Sequence, residues 1–259
     1  MSLLIATQTE LIKTKRSSAF WMSLIGSGMI PLIFFLVYTI SPEKNIPKFQ
    51  DRPWDTHLFQ GWNAFSAFLL PMFVTLICSL IPQIEYKNNT WKQVFASPQS
   101  VGTIFFSKYL AIMLMVLFLF LMFNVFMILV AVIANAIHGG YGFFNTSIDW
   151  SQLARMNFKV FIALLAVISI QYWLSLRFKN FIIPIGIGLA CLVATMILIS
   201  WKHSDKIPYA FPFLTFNTSV SGNRMGGPFF QNHELNSIGY FLFFTVLAFL
   251  DMRFRKERG

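Results

Sequence analysis

The feature that most narrows the fold is a set of six apolar runs with no charged residue inside them. They are 20–40, 58–84, 109–137, 160–176, 180–201 and 235–251, the last with Asp251 at its edge. A helix needs about 20 apolar residues to cross the hydrocarbon of a bilayer. In lipid the backbone must satisfy its own hydrogen bonds, which a helix does within one segment. The runs therefore predict an all-α integral membrane protein of six transmembrane helices, one membrane domain covering 1–259. Run 109–137 is long enough to imply tilt or extension past the bilayer. Run 160–176 is short, so Lys159 at its start is expected to snorkel towards the headgroups. The first run competes with a signal peptide, but it is longer than an ordinary h-region and no small-residue cleavage site follows it. It reads as an uncleaved anchor.

Composition agrees. Apolar residues make up 56% of the 259 and charged residues 12%, about half the share of a soluble domain. A soluble core could not hide that surface, 31 phenylalanines included. Cys78 and Cys191 lie inside apolar runs without metal spacing or a disulfide pattern, and read as small buried hydrophobes.

The net charge of +10 would suit nucleic acid on a soluble domain, but its distribution points to membrane topology. With six spans both chain ends share a side. The four segments on that side hold Lys13, Lys15, Arg16, Lys87, Lys92, Lys108, Arg177, Lys179 and the tail from Arg253 to Arg258, which makes 12 of the 20 basic residues and four of the 10 acidic ones. The positive-inside rule makes that side cytoplasmic, with both termini in the cytoplasm. The longest loops, 41–57, 138–159 and 202–234, leave no room for a soluble domain, and no internal repeat is visible.

Residues 2–19 have helical propensity. At about 100° per residue, Leu4, Ile5, Leu11 and Ile12 share one arc, with Lys15 and Arg16 after them. This predicts an amphipathic interfacial helix on the cytoplasmic face, against the plainer reading of a frayed tail. The basic tail suits anionic lipid or a protein partner. Segment 202–234 is broken by Pro208, Pro212, Gly222, Gly226, Gly227 and Pro228. Its apolar stretch 211–216 suits either a re-entrant helix or a plain outer loop.

The loop 85–108 is the most informative part of the chain. Thr90 with Gln93 has the form of a capping box and would start a short helix over 91–96. Ser97-Pro98 would end it and open the next helix, Ser97 as N-cap and Pro98 as first residue. The short helix carries Trp91 and Phe95 four apart beside Lys92. Such a pair suits a docking knob for another protein or an anchor in the headgroups.

This loop resembles the first cytoplasmic loop of ABC-2 type transporter permeases. An acidic residue closing the second span, a Thr before a large residue, a Ser-Pro and a Lys entering the third span match Glu85, Thr90-Trp91, Ser97-Pro98 and Lys108. The layout of interfacial helix, six spans and Pro-rich sequence after span five is similar as well. The size and Phe-rich composition resemble the lantibiotic-immunity and bacitracin-type branch. The resemblance implies that 85–108 is a coupling loop whose helix sits in a cleft of a separate ATPase subunit, with Glu85, Thr90, Trp91, Lys92, Phe95, Ser97 and Pro98 in that contact. It also implies a second permease, as homodimer or heterodimer. The chain has no phosphate-binding G-x-x-x-x-G-K-[ST] loop of its own. No bound cofactor is therefore expected here, and ATP with Mg belongs to the partner.

No full charge lies deep in a run, which argues against a proton-coupled antiporter or a selective ion channel. Asn124 and Gln171 are the strongest interior polar groups. They either join helices by hydrogen bonds or line a substrate path. Asp251 is expected beside Arg255. His57, near Asp51 and Asp55, is the nearest approach to a metal or catalytic cluster, and a membrane enzyme would need more. The expected function is the permease subunit of an ATP-driven exporter of the bacterial inner membrane. It would move an amphipathic substrate such as a peptide antibiotic, a lipid-linked molecule or a drug. The rival is a non-transporting immunity or assembly factor that binds its target without turnover.

Overall fold

The computed structural model describes residues 2–49, 51–88, 90–96, 98–222 and 229–254. The described residues contain helices and turns and no strand. Helix α1 is Leu3–Thr14, α2 Ser18–Ile40, α3 Pro53–Lys87, α4 Trp91–Ala96 and α5 Val101–His138. Helices α6 to α9 are Trp150–Arg177, Ile182–Leu198, Phe211–Gly222 and Asn232–Phe254. Five of them (α2, α3, α5, α6 and α9) are long and apolar enough to cross a membrane, and α7 is a shorter apolar helix.

Most helices run further than the apolar runs. Helix α5 starts eight residues before the run at 109, with Ser100 Oγ accepting from the Thr103 amide at 3.1 Å. Ser100, not Ser97, is thus its cap. Ser97 lies outside the described residues, and Pro98 is an exposed bend. Two serines three apart both have cap chemistry, and the one with Thr103 at the third helical position is used: its hydroxyl also meets Thr103 Oγ1 at 2.9 Å. At its far end α5 stops on Gly139, at φ 64°, whose N–H returns to Asn135 O at 2.8 Å. Asp149 caps α6, accepting from the Gln152 amide at 3.0 Å.

Helix α3 contains one wider turn, Phe65–Leu69, where the Leu70 N–H reaches Phe65 O five residues back. Such π turns hold one residue more than the α ladder allows. Pro71, which has no N–H to give, follows at once.

The centre is built by α3 and α6, the most buried of the long helices. Helix α2 lies along α5, and α9 along α6. Ser237 of α9 enters the α6 ladder: it donates to Ile162 O at 2.8 Å and accepts from the Ala166 amide at 3.1 Å. The outer faces of α2, α5, α7 and α9 expose Leu32, Leu36, Leu121, Ile197, Phe243 and Val246. Lipid is the solvent that makes such faces stable.

Contacts fix which ends lie together. At one end Tyr86 donates to Leu176 O at 2.9 Å, Gln83 to Lys179 O at 3.0 Å and Arg177 to Asp251 at 2.9 Å. Helix α1, loop 85–108, the turn after α6 and the end of α9 therefore share one end of the bundle. Asp251 takes Arg177 there; its expected partner Arg255 lies outside the described residues, as do Arg224, Gly226, Gly227 and Pro228.

The opposite end is closed by an aromatic box of Tyr38, Phe49, Trp54, Tyr141 and Phe143. His57 sits in it with both ring nitrogens used. Nε2 donates to Met127 O at 2.9 Å, which leaves Nδ1 to accept from Tyr38 OH at 2.9 Å. Asp51 and Asp55 are exposed beside it. The ring is a structural tie with no lone pair left for a metal. Nearby, Lys159 does not snorkel outward: it turns inward, 4.0 Å from Glu234, which α9 carries fully buried in its first turn.

Candidate functional site: the junction beneath the loop 85–108

Four charged side chains from three helices meet at the loop end of the bundle. Glu85 closes α3, Lys108 stands two turns into α5, and Glu10 and Lys13 come from the inward face of α1. Lys108 Nζ is 2.7 Å from Glu10 Oε2 and 2.7 Å from Glu85 Oε1. Lys13 Nζ is 2.8 Å from Glu10 Oε1 and 3.1 Å from Glu85 Oε1. The Lys108 side chain is fully buried, and Glu85 and Glu10 nearly so. Charge balances at two against two, which is what lets ions persist out of water.

Burial would raise the Glu10 carboxyl, but the Lys108 and Lys13 ammonium groups hold it below the usual carboxylate value. Burial would lower Lys13, and Glu10 with Glu85 more than reverse that, so its ammonium is kept to higher pH than usual.

The sequence explains how α1 reaches this point. Leu4, Ile5 and Ile12 lie exposed on one side, while Ala6, Thr7, Glu10 and Thr14 are buried on the other. An amphipathic helix thus presents its apolar face outward and a carboxylate inward. Sequence reasoning missed Glu10 and Lys13 as members of this site. Their only local signal is a Glu and a Lys three apart, common on any exposed helix.

Of the loop residues singled out from sequence, several converge on the junction. Thr90 N–H donates to Glu85 O at 3.0 Å, and Val94 N–H to Thr90 O at 3.0 Å, which seats α4 directly on the end of α3. Trp91 is half-buried and faces the bundle. Its ring is 5.3 Å from Tyr86, with Lys108 Nζ 5.6 Å from its centroid. Gln93 and Ala96 form the exposed side of α4. The side chains of Lys92 and Phe95 lie outside the described residues.

Asn124 and Gln171 are elsewhere and apart from each other. Asn124 accepts from Trp62 Nε1 at 3.2 Å and donates to Asn157 at 2.8 Å, tying α3, α5 and α6. Fully buried Gln171 donates to the Tyr209 hydroxyl, in the short turn Pro208–Ala210 before α8. This turn and Phe211, packed on Ala163 and Ala166, bring the segment after α7 back into the bundle.

The helix layout and the ion-paired junction together describe a loop fastened to three helices at once. A family model described as "ABC-2 family transporter protein" matches residues 6–197. The chain belongs to the ABC-2 transporter family. The match takes in the junction, α4 and the helices through most of α7. A comparison with curated proteins finds no match. As a member of this family the chain is a multi-pass transport component, and its kin work with an ABC ATPase and often a second permease.

Proposed function

We propose that this chain is the permease subunit of an ATP-driven exporter in a bacterial inner membrane, with the loop end of the bundle in the cytoplasm. The side follows from the excess of Lys and Arg there. A separate ATPase subunit docks against the exposed side of α4, a second permease completes the pathway, and the cargo is amphipathic. ATP and Mg bind to the ATPase.

One observation carries this reading. Glu85, Lys108, Glu10 and Lys13 weld the root of α4 to α1, α3 and α5, with separations of 2.7 to 3.1 Å. A push on α4 is then delivered to three helices as one rigid displacement, the kind of motion an alternating-access device needs. Trp91 serves from within, holding α4 to Tyr86 and Lys108, while Gln93 and Ala96 meet the partner.

The test is a pull-down of the tagged chain from mild-detergent extracts of its native membranes, with mass spectrometry of the bound proteins. A near-stoichiometric soluble ATPase, lost on Glu85→Ala with Trp91→Ala, is the expected result. Failure to recover an ATPase under conditions that preserve a known ABC complex would favour the immunity or assembly factor instead. The identity and oligomeric count of any second permease come from the same sample.

A further inference from the structure

Helix α1 turns three different sides to its surroundings. At about 100° per residue, Ala6, Thr7, Glu10 and Thr14 share the buried side, and Thr9 and Lys13 face the cleft towards α4. Leu4, Ile5 and Ile12 lie roughly a third of a turn beyond Thr9 and Lys13. They are 76%, 51% and 73% exposed. The apolar side of α1 therefore meets neither the bundle nor α4. Trp21 and Ile25, near the start of α2, are exposed as well. Charge is also left over here. The described carboxylates at this end of the bundle are Glu10, Glu85 and Asp251, and Lys13, Lys108 and Arg177 take them. Lys15 and Arg16, exposed at the end of α1, have no counter-ion among the described residues.

An aliphatic surface that ends in unpaired cations is complementary to acyl chains beneath anionic headgroups. We propose that α1 binds anionic phospholipid of the leaflet at the loop end, and that this lipid holds the ion-paired junction together. Leu4, Ile5 and Ile12 lie among the acyl chains, and Lys15 and Arg16 on headgroup phosphates. The effect on the junction follows from how α1 is attached. With its large apolar residues turned away, it is fastened to the bundle through small or polar side chains and the ion pairs of Glu10 and Lys13. Lipid and ion cluster thus act on opposite sides of one 12-residue helix. If α1 lifts, Lys108 loses Glu10 and Glu85 loses Lys13, and only the pair of Lys108 with Glu85 still joins helices at the root of α4. Lipid is favoured over the ATPase as the covering because the apolar side points away from α4, and that choice rests on the permease reading, which sets the ATPase on α4.

The test compares the full-length chain in nanodiscs of phosphatidylcholine alone and of phosphatidylcholine mixed with phosphatidylglycerol, by amide hydrogen exchange and melting midpoint. Phosphatidylglycerol is expected to slow exchange in α1 at least about fivefold, to slow α4 with it, and to raise the midpoint. Lys15→Gln with Arg16→Gln should abolish all three effects and leave behaviour in phosphatidylcholine unchanged. Lys179→Gln, which removes an exposed cation at the same end outside α1, should keep them. Equal exchange in the two lipids, slowing confined to α1, or effects that survive the double variant or vanish in Lys179→Gln would overturn the proposal and leave the permease reading in place. Purified ATPase subunit separates the two coverings. If the double variant loses ATPase affinity in phosphatidylcholine alone, Lys15 and Arg16 belong to the ATPase contact and the lipid site is overturned. A wild-type chain that binds no ATPase removes the permease reading, while the lipid dependence of exchange in α1 and α4 still decides the proposal.

Discussion

Lys108 Nζ lies 2.7 Å from Glu85 Oε1, the lysine side chain fully buried and the glutamate 2% exposed. The two residues stand at opposite ends of the loop 85–108, so their contact closes the helical hairpin at its root. Removing one partner of a buried pair leaves an uncompensated charge, which typically costs about 3–5 kcal/mol. Lys108→Met should lose stability of that order. Adding Glu85→Gln to Lys108→Met should recover part of the loss. Denaturant unfolding of the three proteins in detergent, read as a double-mutant cycle, checks the coupling.

The cluster also fixes how stability depends on pH. Glu10 is held below its ordinary value of 4.5, so its pairing is fully present above 4.5 and is lost as pH falls through the folded-state value. Lys13 is held above 10.5, so its contribution is complete below 10.5 and is lost as pH rises through its folded-state value. The advantage of wild type over Glu10→Gln should be level on the alkaline side of 4.5 and shrink as pH falls below it. Melting midpoints across that range test it, and a difference independent of pH would show that Glu10 acts by packing alone.

Asn124 separates structural glue from substrate contact. It is enclosed by Trp62 and Asn157. Asn124→Leu strands both, and interhelical hydrogen bonds in lipid are worth about 0.6–2 kcal/mol. The expected outcome is a lower melting midpoint with unchanged substrate affinity in reconstituted vesicles. A shift in affinity at unchanged stability would put Asn124 on the path.

Gly188 marks the crossing of α7 over Gln171 and Thr75. A Cβ there would run into the Gln171 amide and come within 2.5 Å of Thr75 Cγ2. Gly188→Ala should force the helices apart at a cost of about 1–3 kcal/mol. Gln171→Ala should relieve only part of that cost in the double variant, because Thr75 Cγ2 still stands against the new methyl, as judged by thermal unfolding.

Arg177 with Asp251 is the contrasting case, a pair at 2.9 Å whose side chains are 52% and 24% exposed. Exposed pairs contribute about 1 kcal/mol or less. Asp251→Asn should change the melting midpoint little, and what change there is should vanish in high salt.

The apolar runs made the membrane helices legible because lipid selects on length and hydropathy alone. Helix ends were less so. The start of α5 passes through Lys108 and that of α6 through Lys159, and a charge reads as a boundary until its buried partner is known. Glu85 and Lys108 were visible as loop landmarks. Their joining to Glu10 and Lys13 was not, since it depends on α1 folding back along α5. Trp91 was legible as important but not as inward-facing, because a six-residue helix has no periodicity to orient it. The link from Gln171 to Tyr209 depends on the chain re-entering the bundle after α7, which the prolines of 202–234 permit but do not dictate.

The wide turn at Phe65–Leu69 has a geometric consequence for everything below it. An α-helix advances about 100° per residue, so the one surplus residue sets the azimuth of the lower half of α3 relative to the half that carries Trp54 and His57. Without it, Glu85 would swing by about that angle and point away from Lys108. The turn acts as an angular key, cut mid-membrane, that brings a carboxylate about 20 residues further on into line with its lysine.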